Sequence, residues 1–235
     1  MIHSDVTISV ICYTALDKCR RLMTHLMEEN SGARFILTAN GNPQVSSYFN
    51  WLKANHPAVQ IDVIHNQLNQ GFVIPSNLAF SLAGTEYVVL INDDALPPKD
   101  WLSMLKAPFA GDDKMAVTGA KGTCQTLDEN FVGRHGNQLD YVEGSCMCIR
   151  RSHIVGKLFS DYIKVGYCED ADMCLRVRER GLKIAQADFK LVEHFRNTTS
   201  RTIPGIRHIM AQNFATCRKR WAFYLRHRKF EEKVA

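Results

Sequence analysis

Four short segments rich in β-branched and aliphatic residues, separated by three helix-length ones, constrain this chain more than any other feature. The strand-like segments are Val6–Tyr13 (VTISVICY), Phe35–Thr38, Gln60–His65 and Glu86–Ile91 (EYVVLI). Between them, Asp17–Glu29 places Cys19, Leu22, Met23 and Leu26 at helical spacing, and Val45–Ala54 and Pro75–Ala83 also read as helices. Strands that alternate with helices pair in parallel, because each crossover carries the chain back across the sheet. An α/β domain with a largely parallel sheet covered on both faces is therefore expected. Beyond Asp94 the alternation loosens. A helix is expected over Asp100–Pro108, strands over Met115–Gly119 and Glu143–Arg150, and a helix over Asp170–Arg180 that stops at Gly181. No linker or repeat divides the 235 residues, so residues 1–204 are read as one domain and residues 205–235 as a helical extension packed on it.

Composition narrows the class. With 46% hydrophobic residues, 14 Gly and 7 Pro, the chain is neither disordered nor low in complexity. No apolar run approaches the ~20 residues of a membrane span, and Met-Ile-His-Ser-Asp does not open like a secretory leader. The eight cysteines contain no Cys-x-x-Cys pair and fall mostly in apolar segments, which points to buried free thiols in a reducing compartment, the cytosol. The formal charge of +5 is unevenly spread. Residues 201–235 hold nine Lys/Arg against two Glu, +7, leaving 20 basic and 22 acidic side chains in residues 1–200, −2.

Four groups of residues could carry chemistry. Asn92-Asp93-Asp94 ends the Glu86–Ile91 strand, on the side of a parallel sheet where ligands bind. Adjacent carboxylates there suit a hard divalent cation, and equally a polar turn into Pro97-Pro98. Glu169, Asp170 and Asp172 head a helix, where acids commonly complement the dipole; three in four residues exceed that need, and one could serve as a general base. His194 follows an apolar segment and is either a packed imidazole or a metal ligand. Asn69-Gln70-Gly71-Phe72 precedes a helix, a setting suited to phosphate or sugar.

Taken in order, these groups resemble the family 2 glycosyltransferases, inverting enzymes of the GT-A-type fold, and their rhamnosyltransferase-like members in particular. The resemblance runs from about Val6 to about Tyr224. It rests on SVICYTALD, Asn40-Gly41, NQGFVIPSN, INDDALPPKDWL, EGSCMCIRRS, YCEDADMCLRVRERGLKI and the EHF around His194. It implies a Rossmann-like sheet and transfer of a hexosyl or pentosyl group from a nucleotide diphosphate sugar to an acceptor hydroxyl, with Mn2+ or Mg2+. By the same resemblance Asp94 and His194 would hold the metal or diphosphate, and Asp93 would lie near the ribose. Asp170 would be the base, with Glu169 beside it and Asp172 orienting it or touching the acceptor. Tyr13, Asn40 and Asn69 would line the nucleotide pocket. Asn92 and Ala39 stand where the family often has acids.

The tail bears on the acceptor. Ile206, Met210, Phe214, Cys217, Trp221 and Leu225 recur as one helical face, while Arg207, Arg218, Lys219, Arg220, Arg226, Arg228 and Lys229 cover the rest. Such a surface suits an anionic or lipid-linked glycan acceptor at the inner face of a membrane. The alternatives are modified bases in DNA as acceptor and a nucleotide-sugar-binding module without turnover.

Overall fold

The structure, a computed structural model, describes residues 3–29, 32–123, 139, 141–195 and 202–227. Seven strands form the central sheet: β1 (Val6–Cys12), β2 (Arg34–Asn40), β3 (Ile61–Asn66), β4 (Tyr87–Asn92), β6 (Met115–Gly119), β9 (Cys146–Arg150) and β10 (Lys183–Gln186). Two small ladders lie outside it, β5 (Ala95–Leu96) with β11 (Glu193–His194) and β7 (Gly122–Thr123) with β8 (Tyr141–Val142). The helices are α1 (Leu16–Glu28), α2 (Pro43–Asn55), α3 (Val73–Leu82), α4 (Trp101–Lys106), α5 (Glu169–Glu179) and α6 (Ile206–His227). The short strands escape sequence reading because two residues carry no detectable period. β10 escapes it because its burial is only partial.

Sheet order is β10-β6-β9-β4-β1-β2-β3. β1 pairs in parallel with both β2 and β4, so the chain winds outward through β3 and then returns to the other side of β1. That reversal opens a crevice beyond the carboxyl ends of β1 and β4, the place where open α/β sheets bind ligands. β9 alone runs antiparallel to its neighbours β4 and β6.

Both faces of the central strands are covered, which is why they read as continuous apolar runs. In β4, Tyr87, Val89 and Ile91 pack with α1, α2 and α4 on one face. Val88 and Leu90 turn to the other, with Phe80, Phe159, Met173 and Cys217. Each fully buried side chain of this size stabilises the fold by about 1.5–3 kcal/mol. Seven cysteines, at 12, 19, 146, 148, 168, 174 and 217, are buried and free; Cys124 lies outside the described residues. No described helix is long and apolar enough to cross a membrane.

α6 packs on the domain through Asn213, Cys217 and Trp221 rather than through the whole expected stripe, and Phe214 is partly exposed. Of the expected basic surface, Arg207, Arg218 and Lys219 are exposed. Arg220 stacks over the Tyr162 and Trp221 rings. Arg228 and Lys229 lie outside the described residues, as do the side chains of Leu225 and Arg226.

Candidate functional site

A cavity of about 430 Å³ opens at the β1/β4 crevice. It brings together Tyr13, Asn40, Asn69, Asp93, Asp94, Glu169, Asp170 and His194. Asp172 does not reach it.

The acidic corner is built by strand register. Ile11 of β1 faces Asn92 of β4, so the residues that follow leave the sheet side by side. Asp93 is buried there, against the Tyr13 backbone N–H and the Cys12 thiol. Burial, reinforced by neighbouring Asp94, pushes its carboxyl up to about 7. The β5–β11 ladder then sets His194 opposite Ala95. His194 Nε2 lies 3.8 Å from Asp94 Oδ1. A bidentate fork from Arg21 to Glu193, both bonds 2.6 Å, fastens β11 to α1. Lys18 sits over the Phe195 ring at 4.1 Å. Aspartate and imidazole suit a borderline-hard cation such as Mn2+. Among the described residues no group of three or more His, Cys, Asp or Glu that could hold a metal ion is found, so a cation placed there would need further ligands from a bound molecule.

The opposite wall is the start of α5. Asp170 accepts from the Gly144 N–H through Oδ2 (3.0 Å) and from the Ala171 N–H through Oδ1 (2.8 Å). Burial raises its carboxyl above the ordinary value in spite of these bonds. Glu169 is pushed up to about 8, first by burial and then by Asp170. Its Oε2 is buried without a hydrogen-bond partner among the described residues. Both acids thus hold their protons more tightly than exposed carboxylates do.

Asn40 shapes the third wall. Its Nδ2 donates to Asn69 Oδ1 and to the Gly71 carbonyl, both at 2.9 Å. Its Oδ1 accepts from Asn66 Nδ2 (2.9 Å) and the Gln70 N–H (3.1 Å). The whole hydrogen-bonding capacity of the amide is thus used to hold the 66–71 turn. Gly41, at φ +87°, is needed for that fit, since a Cβ there would lie 2.4 Å from the Asn69 nitrogen. Asn42 caps α2 and also donates to the Tyr13 carbonyl at 2.7 Å, fixing Tyr13 at the rim.

Asp172 is fully buried behind the cavity. It accepts from Ser160 Oγ (2.6 Å), Tyr162 OH, Arg176 Nε (3.1 Å) and Trp221 Nε1 (2.8 Å). These bonds join α5 to α6; they do not present a carboxylate to a ligand. Sequence reading missed the other contributors to the cavity: Tyr141, Ile203, Ile206 and Phe214, and the turn 165–168 that leads into α5. The cue for α6 was its stripe, but the stripe does not say which members meet solvent.

Comparison with known proteins bears on the family and the fold. The model for "Glycosyltransferase like family 2" matches residues 3–159. A pre-mycofactocin glycosyltransferase of Mycobacterium tuberculosis is 25% identical over 219 residues, covering 85% of this chain and 44% of its own length. The chain thus spans less than half of that relative. Among solved structures, the mannosyltransferase PcManGT of Pyrobaculum calidifontis, in complex with GDP-Man and Mn2+, has a TM-score of 0.70 at 16% identity, covering 92% of this chain and 64% of the other. GalNAc-T7 with UDP, GalNAc and Mn2+ has a TM-score of 0.61 at 11% identity, over 77% of this chain and 42% of the other. Residues 1–349 of S. aureus TarS with UDP have a TM-score of 0.59 at 15% identity, over 79% and 59%. The fold is the GT-A type, and the chain belongs to the family 2-like glycosyltransferases.

Proposed function

We propose that this protein is a metal-dependent, inverting glycosyltransferase that moves a sugar from a nucleotide diphosphate sugar to an acceptor hydroxyl, with Asp170 as the base. The observation that carries the reading is that one cavity holds both an Asp94–His194 pair and a buried carboxylate steadied by two backbone N–H groups.

Inversion needs one base on the acceptor side of the anomeric carbon, whereas a retaining hydrolase needs two carboxylates flanking the bond. Asp170 fits that single role. Its two accepted bonds fix the carboxylate plane and leave lone pairs for the acceptor hydroxyl. Its raised affinity for protons makes it a better base than an exposed carboxylate. Glu169, protonated through most of the neutral range, adds little like charge beside it and can donate a hydrogen bond to the incoming acceptor. Asp94 and His194 would hold Mn2+ or Mg2+ together with diphosphate oxygens. When bound, the cation neutralises charge developing on the leaving diphosphate. Asn40 and Asn69 keep the nucleotide wall in shape, and Tyr13 and Asp93 line it. The exposed arginines of α6 favour an anionic or lipid-linked glycan acceptor at a membrane surface.

The test is a thermal-shift panel of nucleotide diphosphate sugars, GDP-mannose and UDP-GlcNAc among them, with and without Mn2+. A matching donor at a hundred times its Kd adds about 2.7 kcal/mol, or roughly 5–10 °C in a domain of this size. The stabilising donor is then used for transfer, and the anomeric configuration of the product is read by NMR. Stabilisation only with Mn2+, and an inverted product, are expected. Full turnover in EDTA or a retained anomer would overturn the reading.

A further inference from the structure

The turn that delivers Glu169 and Asp170 is strained. Val165, Tyr167 and Cys168 are non-glycine residues with φ of 65°, 71° and 71°, in the left-handed region that side chains disfavour. Cys168 is also the residue immediately before α5, and its side chain makes no capping bond to that helix. Three such residues within four positions persist only where surrounding structure dictates the backbone.

Two elements supply that constraint. Below the turn, the Val165 carbonyl accepts from the Phe72 N–H and from the Val73 N–H (3.2 Å), at the start of α3. Gly71 admits this approach, since a Cβ there would lie 2.5 Å from Val165 Cα. Above it, α6 contributes Asn213, only 2% exposed. Its Nδ2 donates to the carbonyls of Lys164 (2.9 Å), Gly166 (2.7 Å) and Tyr167 (3.4 Å). Its Oδ1 accepts from the Lys164 N–H at 3.2 Å. One side chain thus bonds to backbone groups at three of the four positions 164–167; within the turn itself the Gly166 N–H reaches the Lys164 carbonyl (2.7 Å), while Asn213 takes up the Lys164 N–H and the Gly166 and Tyr167 carbonyls. The polar residue interrupts the apolar seam by which Cys217 and Trp221 dock α6. Packing alone would favour an aliphatic side chain there.

We propose that Asn213 is a positioning residue for glycosyl transfer: it holds turn 164–168 in its strained form and thereby sets the approach of Glu169 and Asp170 to the acceptor. The inference rests on the proposed glycosyltransferase reading. Asn213 does not line the cavity and touches no reacting group. Its loss should therefore displace the base by a fraction of an ångström to an ångström, enough to slow a reaction that depends on near-attack geometry.

The experiment compares wild type with Asn213→Ala and Asn213→Asp. The second keeps the shape and the Lys164 bond but cannot donate to the carbonyls. Amide hydrogen exchange of residues 163–168 is measured alongside steady-state transfer and the affinity of UDP or GDP with Mn2+. In both variants exchange in 163–168 should quicken at least tenfold while the central strands stay protected. The kcat should fall about 10- to 100-fold, with nucleotide Kd and donor KM within twofold of wild type. Asn213→Gln, which restores a donor, should recover part of kcat. A folded variant with kcat within twofold of wild type would overturn the proposal. So would a loss of kcat matched by an equal loss of nucleotide affinity and of protection throughout the sheet. The exchange measurement does not depend on turnover: if wild type transfers no sugar, the glycosyltransferase reading fails by itself, while local quickening in 163–168 still reports whether Asn213 holds the turn.

Discussion

His194 Nε2 stands 3.8 Å from Asp94 Oδ1, and the pair, a hundred residues apart in sequence, owes its geometry to a two-residue ladder that His194 ends and Asp94 immediately precedes. His194 pairs with Ala95 across that ladder, and the Phe195 N–H donates to the Asp94 carbonyl at 3.3 Å. If Asp94 and His194 are the protein ligands, as proposed, a pair alone would bind a divalent cation weakly, so cation and nucleotide diphosphate should bind together. Mn2+ without nucleotide should leave the melting temperature unchanged, and UDP or GDP with Mn2+ should raise it. Asp94→Ala should abolish the joint effect, and His194→Ala should weaken it by about one to two orders of magnitude in apparent affinity. Undiminished joint stabilisation in Asp94→Ala would remove this residue from the metal site.

Asp170→Asn preserves shape but cannot accept a proton. Its kcat should drop by about 10²- to 10⁴-fold while nucleotide affinity is kept. Because burial raises the Asp170 carboxyl, wild-type activity should climb with pH along an acid limb above the ordinary carboxylate range near 3.8. The base is inactive when protonated, so activity falls as pH is lowered through that limb. A limb at or below the ordinary value would contradict the buried geometry.

Glu169 affects stability in the opposite direction. Its folded-state value of about 8 lies above the ordinary 4.5, so the folded protein holds this proton more tightly than the unfolded chain. The stability contributed by the protonated group is complete below about 4.5 and is lost as pH rises toward 8. Glu169→Gln should therefore match or trail wild type in melting temperature at pH 5 and exceed it at pH 9. A difference that stays constant with pH would show that Glu169 titrates normally.

Removing the carboxylate behind the cavity should cost stability first. Asp172→Ala leaves Trp221 Nε1, Tyr162 OH, Ser160 Oγ and the Arg176 guanidinium without their common acceptor. Loss of about 3–5 kcal/mol is expected, as for other buried charges stripped of a partner. Urea denaturation measures it. A loss below about 1 kcal/mol would mean that the apolar contacts of α6 and the Asn213 hydrogen bonds hold it without this carboxylate.

Much of the architecture was legible because β1, β2 and β4 are buried on both faces and are rich in Val, Ile and Leu. Their order forces a parallel sheet, and the crevice beyond β1 and β4 follows from it. Tyr13, Asp93, Asp94, Glu169, Asp170 and His194 could be nominated because motif order placed them at strand ends or a helix start. What sequence could not convey was division of labour among like residues. Asp170 and Asp172 are two positions apart on one helix, yet one faces the cavity and the other faces α6. Asn40 lines the cavity but spends every polar atom on the turn beside it. Asn213 was invisible because a single polar residue in a long amphipathic helix has no period, and its partners are backbone groups some fifty residues away.

Helix α6 places Asn213 against the turn that leads to Glu169 and Asp170, and Phe214 at the wall of the cavity, in consecutive positions. A substitution that moves α6 along its axis would therefore alter both the cavity wall and the support of the turn. On the proposed reading, a design that reshapes the cavity through Phe214 would have to keep the register of α6 that sets Asn213 on the turn.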